Sequence, residues 1–298
     1  MGFDEYVLEH GPSEPVFYLW RNSPSVIIGL NQNPYAEVNL PYLQEHGIAL
    51  VRRITGGGAV YHDLGNLNYS IVGPSKCFAD DRPGVIADAL KSMGVTAELG
   101  GRNDIFVDGR KCSGYAKRLS RDRMMIHGTL MFDVNLEALV SALSAPGSKV
   151  SAAGIASVRS RVANLREYLP GLTMEQFTAA LQEHLAAGDG PFEEISPIDS
   201  AKFRSWEWIY GRSPQAEFSR SVKLACGSVQ LSWSLRHGRL SGVRFEGDFI
   251  GLEDPAALAT RLEGVPFTRE ALAPLLQDAS SFFDSASPSD ILAAFDLP

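Results

Sequence analysis

Three adjacent glycines, Gly56-Gly57-Gly58, lie between two stretches of strand character, and this constrains the fold more than any other feature of the chain. Ile48-Ala49-Leu50-Val51 precedes them and Leu67-Asn68-Tyr69-Ser70-Ile71-Val72 follows. Glycine lacks a Cβ, so successive N–H groups can approach a ligand closely and adopt φ values that other residues resist. A bare Gly-Gly-Gly reads as a tether or a tight turn. Held between two strands, it is part of a scaffold. Arg52 and Arg53 stand just before it and add fixed charge with a fork of donors, and Ala59-Val60-Tyr61-His62-Asp63 follows. The run is predicted to bind an anion through its backbone. It is not the common nucleotide motif, because no Gly-x-x-x-x-Gly-Lys-Ser/Thr occurs and no helix follows the glycines. Strand alternation sends Arg52 and Arg53 to opposite faces, so only one of them is expected to face the anion.

The anion should be small. Against 27 Lys and Arg stand 35 Asp and Glu, a net charge of −8 that leaves no broad basic footprint for nucleic acid or an anionic membrane. At 298 residues the chain is long enough for one large domain or two unequal ones. Cys77, Cys112 and Cys226 are scattered without a Cys-x-x-Cys pair, which suits a reducing compartment, and a cytoplasmic protein is expected. No apolar run reaches membrane-spanning length, and Met1 to Tyr6 lacks the basic start of a signal peptide.

Two short strands are predicted at Val16–Trp20 and Ser25–Gly29 around the turn Arg21-Asn22-Ser23-Pro24, then a polar loop at Asn31–Pro34 and a short helix over Tyr42–His46. Asp81–Met93 reads as a helix with one apolar face. Asp108-Gly109 joins the strands Ile105–Val107 and Lys111–Ser113 into a hairpin with positive φ at its tip. A third strand, Arg123–Phe132, carries His127, and a helix follows with Leu136, Leu139, Val140 and Leu143 as its buried stripe. Ser148–Ala163 is small, polar and basic, with Lys149, Arg159 and Arg161, and reads as an irregular loop. Thr173-Met174-Glu175-Gln176 opens a capped helix to about Ala187, which Gly188-Asp189-Gly190-Pro191 stops. After the aromatic junction Trp206–Pro214, strict alternation of Val229, Leu231, Trp233 and Leu235 and the Asp254-Pro255 helix start predict a small α+β domain.

Several residues invite chemistry. Asn103 and Asp104 can serve a ribose or a Mg²⁺ shell, and equally a turn. His62 and His127 invite a base role, but no carboxylate at fixed spacing accompanies either, and a strand histidine is more often structural. Cys112 should face away from Lys111 and be a buried thiol. A nucleophilic Cys112 would instead imply a thioester acyltransferase that uses no ATP. Trp20, Ile28, Val60 and Tyr69 are candidates for lining an apolar tunnel, with core packing as their alternative.

In three blocks the chain resembles the adenylate-forming lipoate–protein ligases, relatives of the biotin ligases, over nearly its whole length. The blocks are Arg52–Ser70, Gly101-Arg102-Asn103-Asp104-Ile105 through Lys111-Cys112-Ser113-Gly114-Tyr115-Ala116, and His127-Gly128-Thr129-Leu130. Gly29–Asn33, Ser157–Leu165 and Trp206–Pro214 support them. The resemblance implies an α+β fold: a mixed-sheet catalytic domain over 1–200, a junction or hinge over 201–214, and a small α+β accessory domain over 215–298. The small domain is expected to move about that junction between the two steps of the reaction.

The activity the resemblance implies has two steps. Lipoate and ATP form lipoyl-adenylate with release of pyrophosphate, and the acyl group then passes to a lysine of an acceptor, a lipoyl domain of a 2-oxoacid dehydrogenase complex or the glycine-cleavage H protein. Lys111 is the family's essential lysine and Arg53 the arginine that faces the nucleotide. Gly56, Gly57, Gly58, Ala59, Val60, Tyr61, His62, Asn103, Asp104, Gly114, Ala116 and His127 complete the ligand site, Asp104 as a Mg²⁺ ligand. A monomer is expected. Ile126 stands where many relatives have another histidine, which weakens a histidine base further. Phe3-Asp4-Glu5-Tyr6 falls in the middle of the family's first helix, so an opening strand is expected to be absent, either because the start is assigned too late or because a sheet edge is left exposed. An octanoyl or lipoyl transferase on the same fold is the first rival, although transferases usually lack the accessory domain. A biotin ligase, with different arginine and glycine spacing, and a non-catalytic nucleotide sensor are the others.

Overall fold

Elements through the first half of the chain run in the order α1 (Gly2–His10), β1 (Val16–Trp20), β2 (Ser25–Ile28), α2 (Pro34–Glu37), α3 (Leu40–Glu45), β3 (Ala49–Arg52), β4 (Val60–His62) and β5 (Asn66–Pro74). They continue as α4 (Gly84–Ser92), β6 (Ala97–Gly100), β7 (Asp104–Val107), β8 (Arg110–Ser120), β9 (Arg123–Met131), α5 (Leu136–Ala142), α6 (Ala152–Arg159) and α7 (Met174–Leu185). The computed structural model describes residues 1–78, 84–100, 103–143, 152–185 and 200–297. By contacts the chain divides into two units, and the first is drawn from residues 1–30, 47–143 and 152–204.

Two sheets build the first unit. The larger has strand order β1-β5-β9-β8-β7-β6, and each neighbouring pair is antiparallel. The smaller has order β3-β2-β4, with β2 parallel to β3 and antiparallel to β4. β1 and β2 therefore enter different sheets, and the turn between them is a crossing from one to the other.

β5 decides where the core and the site lie. Its Leu67, Tyr69 and Ile71 join Ile86 and Leu90 of α4, Leu130 of β9, Phe132, and Phe177 and Leu181 of α7 in one buried apolar cluster. The alternate residues Asn66, Asn68 and Ser70 are equally buried, on the opposite face. A strand buried on both faces with a polar row on one of them needs partners for that row. Those partners build the site described below.

Local signals formed as expected at several points. Asp108 and Gly109 at the β7–β8 tip have φ of 49° and 72°, the positive values an Asp-Gly hairpin turn requires. Thr173 and Gln176 exchange bonds at the start of α7, Gln176 Oε1 accepting from Thr173 N at 2.8 Å and Thr173 Oγ1 from Gln176 N at 3.3 Å. The helix around 81–93 is described from Gly84, and residues 81–83, Gly101-Arg102, Lys149 and Gly188-Asp189-Gly190-Pro191 lie outside the described residues. The short helix expected over Tyr42–His46 is α3, which begins at Leu40 with the Asn39 side chain accepting from Tyr42 N.

One expectation fails. The stretch read as an irregular loop, Ser148–Ala163, contains α6. Its alanines lose little entropy in a helix, so helix propensity prevails without the apolar period that marks most helices.

The second unit comprises residues 31–46 and 205–297 among those described. After α8 (Trp206–Ile209) come β10 (Ala216–Leu224), β11 (Gly227–Arg236) and β12 (Arg239–Gly247), an antiparallel sheet in that order. α9 (Pro255–Leu262), α10 (Arg269–Leu272), α11 (Ala279–Phe282) and α12 (Pro288–Ala294) follow. Val229, Leu231, Trp233 and Leu235 are all buried, as the alternation predicts, with Leu258, Leu262, Phe282 and Phe295 also in the interior. The 31–46 stretch is stitched into this unit by Asn33 Nδ2 donating to Pro214 O at 3.0 Å and Tyr35 Oη donating to Phe267 O at 2.9 Å. No helix among the described residues is long and apolar enough to cross a membrane, and Cys77, Cys112 and Cys226 are free thiols.

Gly128 of β9 lies opposite Tyr69 of β5. A Cβ there would come within 2.5 Å of the Tyr69 ring and hydroxyl. Gly128→Ala should therefore destabilise the first unit by about 1–3 kcal/mol through overpacking, read as a lower denaturation midpoint. An unchanged midpoint would contradict this packing of Tyr69.

Candidate active site

From the polar row of β5, Asn68 faces a pocket lined also by Trp20, Ile27, Arg53, Gly57, Gly58, Ala59, Val60, His62, Asn103, Lys111, Gly114, Ala116, His127 and Thr129, among others. Every lining residue belongs to the first unit. The pocket thus gathers residues from both sheets and from the loop between β3 and β4.

Arg53 organises that loop. It is buried, and burial lowers its guanidinium to about 10, so it remains a cation at neutral pH. Its Nη2 donates to the carbonyls of Gly56 at 2.7 Å and Gly58 at 2.8 Å, its Nη1 to Ile27 O at 3.1 Å, and its Nε to Thr55 Oγ1 at 3.0 Å. In a planar trans peptide the C=O of one residue and the N–H of the next point in opposite directions. With the Gly56 and Gly58 carbonyls drawn onto Arg53, the N–H groups of Gly57 and Ala59 are turned away from it. Among the described residues neither N–H meets a protein acceptor.

Gly57 has φ of 93°, the left-handed region that glycine tolerates. Gly29 permits the close approach of the loop to β2, since a Cβ there would fall 2.0 Å from Gly57 O. Arg118 adds a second hold, Nη1 donating to Ile54 O at 2.5 Å.

The two arginines are both buried, which alternation alone did not foresee. Arg52 Nη1 donates to Gly29 O and Leu30 O, at 3.1 and 2.9 Å. Arg53 lines the pocket, but its bonds go to the carbonyls of Gly56, Gly58 and Ile27 and to the Thr55 hydroxyl. It therefore brings a buried charge to the pocket wall as well as a grip on the glycines.

Lys111 lies across the pocket on β8. Its Nζ sits 2.7 Å from Asp104 Oδ1 on β7, and both side chains are partly exposed. Gly114 leaves room for the ammonium, because a Cβ at that position would come within 3.0 Å of Lys111 Nζ. The backbone of Lys111 is fixed from the other side: its N–H donates to Arg161 O at 2.8 Å and its carbonyl accepts from Ala163 N at 2.9 Å. The segment after α6 is thus a clamp on the lysine strand.

Register shifts between β7 and β8, with Ile105 opposite Ser113 and Phe106 opposite Lys111. Cys112 is the extra residue of this bulge. It is fully buried, donates to Ile105 O at 3.4 Å, and burial pushes its thiol up to about 12. Such a thiol is structural, as expected. Asn103 donates from Nδ2 to Tyr115 O at 2.5 Å and so ties the strand ends while still lining the pocket.

Both histidines are hydrogen-bonded strand residues, the structural role expected of them, and one has a carboxylate partner that no fixed spacing marks. His127 does have a carboxylate: its Nδ1 is 3.3 Å from Asp4 Oδ2, a residue 123 positions away in α1. Its Nε2 is 2.7 Å from Thr55 Oγ1. With both ring nitrogens engaged, it is not a free base. His62 is buried with Nδ1 3.0 Å from Asn22 Nδ2, and Nε2 meets no partner among the described residues. Burial, reinforced by the charge of Arg53, holds this imidazole down at about 3.

Among the residues expected at the site, Gly56, Tyr61 and Asp104 do not line the pocket; Gly56 serves through its carbonyl, Asp104 through Lys111, and Tyr61 faces away from it between Val60 and His62. Trp20 and Val60 line it, whereas Ile28 and Tyr69 are buried elsewhere. Sequence reasoning missed Asn68 and Thr129, opposite each other on β5 and β9. The polar alternation Asn66, Asn68, Ser70 within an otherwise apolar strand was a usable signal. Asp4 was missed with no local signal to reveal it.

A braced glycine loop from the small mixed sheet and a lysine from the antiparallel sheet thus line one pocket. Comparison with known proteins makes the class specific. The family model described as the lipoyl protein ligase A/B catalytic domain matches residues 1–186, and that of the bacterial lipoate protein ligase C-terminus matches residues 213–295. A Bacillus subtilis protein named lipoate-protein ligase LplJ is 38% identical over 98% of this chain and 94% of its own length.

Among solved structures, a bipartite lipoate protein ligase from Thermoplasma acidophilum, described with its E2 lipoyl domain, is 28% identical with a TM-score of 0.60, covering 70% of this chain and 89% of that one. A lipoate-protein ligase A bound with ATP is 29% identical with a TM-score of 0.52, over 61% of this chain and 76% of that one. The chain belongs to the lipoate-protein ligase family and is an enzyme of the ligase class.

His62 offers a check on the pocket's burial. The folded protein keeps the imidazole neutral down to about pH 3, whereas the unfolded chain protonates it below about 6.5. Its contribution to stability is therefore present above 6.5 and falls by ~1.4 kcal/mol per pH unit as pH drops from there toward 3. Denaturation of the unaltered protein and His62→Gln across this window should show that slope only with the histidine present. Equal slopes would mean that His62 is solvated.

Proposed function

We propose that this enzyme joins the carboxylate of lipoate to the α-phosphate of ATP, releasing pyrophosphate, and then passes the acyl group from the adenylate to a lysine amine of an acceptor domain, releasing AMP. The observation that carries the reading is the placement of the Arg53-braced glycine loop and Lys111 around one pocket, with Asp104 paired to Lys111 from outside the lining. The first step brings two anions into contact, so it needs positive charge and oriented donors more than an acid or base. Lys111 supplies a mobile point charge and the Gly57 and Ala59 N–H groups supply fixed donors. In the second step the same ammonium can polarise the acyl carbonyl as the amine attacks.

Mg²⁺ accompanying ATP neutralises phosphate charge and takes most of its ligands from phosphates and water, with one or two carboxylates. Asp104 lies outside the pocket lining and is paired with Lys111, so it would have to exchange that ion pair to serve as the single carboxylate, and no group of three metal-ligating side chains occurs among the described residues. Lipoyl domains of 2-oxoacid dehydrogenase complexes and the glycine-cleavage H protein are the acceptors in this reading, and a cytoplasmic monomer is its expected form. The linear division into a catalytic domain over 1–200, a junction over 201–214 and an accessory domain over 215–298 belongs to it as well, supported by the separate family matches. The stretch 31–46, which packs within the second unit, stands apart from that division.

With ATP, Mg²⁺ and lipoate but no acceptor, the protein should release pyrophosphate and retain acyl-adenylate. Lys111→Ala should lower the rate by about 10²–10³-fold, the usual effect of removing one oriented charge stabiliser, with an unchanged circular dichroism spectrum. No pyrophosphate at saturating substrates would defeat the ligase reading. ATP-independent acyl transfer that Cys112→Ser abolishes would replace it with a transferase.

A further inference from the structure

Asp4 is a carboxylate with 1% of its surface exposed, inside the first helix. A buried anion needs donors on all sides, and Asp4 has three. Tyr18 Oη donates to Oδ1 at 2.5 Å, Ser70 Oγ donates to Oδ1 at 2.9 Å, and His127 Nδ1 faces Oδ2 at 3.3 Å. Tyr18, Ser70 and His127 are register neighbours on β1, β5 and β9, so sheet pairing lines them up beneath the helix. These bonds outweigh burial, which alone would raise the carboxyl, and hold it at about 2.

The connections continue past His127. Its Nε2 meets Thr55 Oγ1 at 2.7 Å, and the same hydroxyl accepts from Arg53 Nε at 3.0 Å. A buried anion and a buried cation are thus joined through two side chains, and the cationic end holds the carbonyls of Gly56 and Gly58. Nδ1 faces a carboxylate and must carry a proton, which fixes the ring orientation that presents Nε2 to Thr55. Thr55 is the only link between this ring and the guanidinium that the bonds above provide.

We infer that Asp4 is a positioning residue for the ligand site, acting through His127 and Thr55 to set the Arg53 guanidinium on the glycine loop. Arg53 Nε–H is shared between Thr55 Oγ1 at 3.0 Å and Gly56 O at 3.1 Å, so without the Thr55 link Arg53 would keep its carbonyl acceptors but lose the shorter of the two bonds that hold its Nε. The Gly57 and Ala59 N–H groups would then be less well aimed. The kinetic consequence rests on the ligase reading; the spectroscopic one does not.

The test is NMR of the Arg53 Nε–H in the full chain, its signal identified by loss in Arg53→Lys. In the unaltered protein this proton should exchange slowly with solvent, and His127 should show a protonated Nδ1. Thr55→Val should speed the exchange by about tenfold or more, as expected for loss of one hydrogen bond to a charged group, and Thr55→Ser should restore it. Asp4→Asn should also speed it, although residue 4 does not touch Arg53.

In pyrophosphate release, Thr55→Val should raise KM for ATP by about tenfold and Thr55→Ser should return it toward the original value. Unchanged Arg53 Nε–H exchange in both Thr55→Val and Asp4→Asn would overturn the inference, whatever happens to melting temperature. So would an unprotonated His127 Nδ1 in the unaltered protein, which needs no variant to fold. If exchange responds but no ATP-dependent activity exists, the ligase reading fails and the chain of bonds stands.

Discussion

A buried arginine holding the carbonyls of a glycine loop is the interaction on which the rest of the catalytic unit depends. Left alone, Gly56-Gly57-Gly58 would sample many conformations, and fixing each residue costs about 1–2 kcal/mol of backbone entropy. The Arg53 guanidinium supplies charge-assisted bonds that select one of them. Because a peptide's two polar groups are antiparallel, the carbonyls it captures determine where the donors point. The loop is thereby held in one conformation, with two N–H groups that meet no protein acceptor among the described residues.

The sheet provides the counterpart. β5 carries an apolar row into the helical core and a polar row on its opposite face, from which Asn68 lines the pocket, so one strand couples stability to function. Lys111 stands on β8 beside a bulge that buries Cys112 and leaves the ammonium at the pocket, paired with Asp104. Gly29 and Gly128 leave space where a neighbour approaches too closely for a Cβ, and at Gly114 a Cβ would crowd the Lys111 ammonium. Small residues here are therefore requirements of packing around the site, distinct from the flexibility usually attributed to glycine.

Much of this was legible in the sequence where the determinants are local. The Asp108-Gly109 hairpin, the Thr173 cap and the alternation along β11 depend on residues a few positions apart, and they formed as read. Lys111 and the glycine loop were legible through their motifs, and the pocket brings them together. α6 was not, because a helix of small residues has no apolar stripe. The Asp4–His127 contact was not, because the two residues lie 123 positions apart and nothing local marks a carboxylate for burial. Arg53 was found but half understood: its position suggested a charge for the ligand, whereas its bonds show a brace for the backbone.

The most direct measurement is a crystal structure of the protein with a non-hydrolysable lipoyl-adenylate analogue. Lys111 Nζ and the N–H groups of Gly57 and Ala59 should lie within about 3.2 Å of the group that replaces the α-phosphate, with Arg53 still bonded to the Gly56 and Gly58 carbonyls. An analogue bound away from the loop, or an Arg53 that has released those carbonyls to grip the phosphate itself, would contradict it.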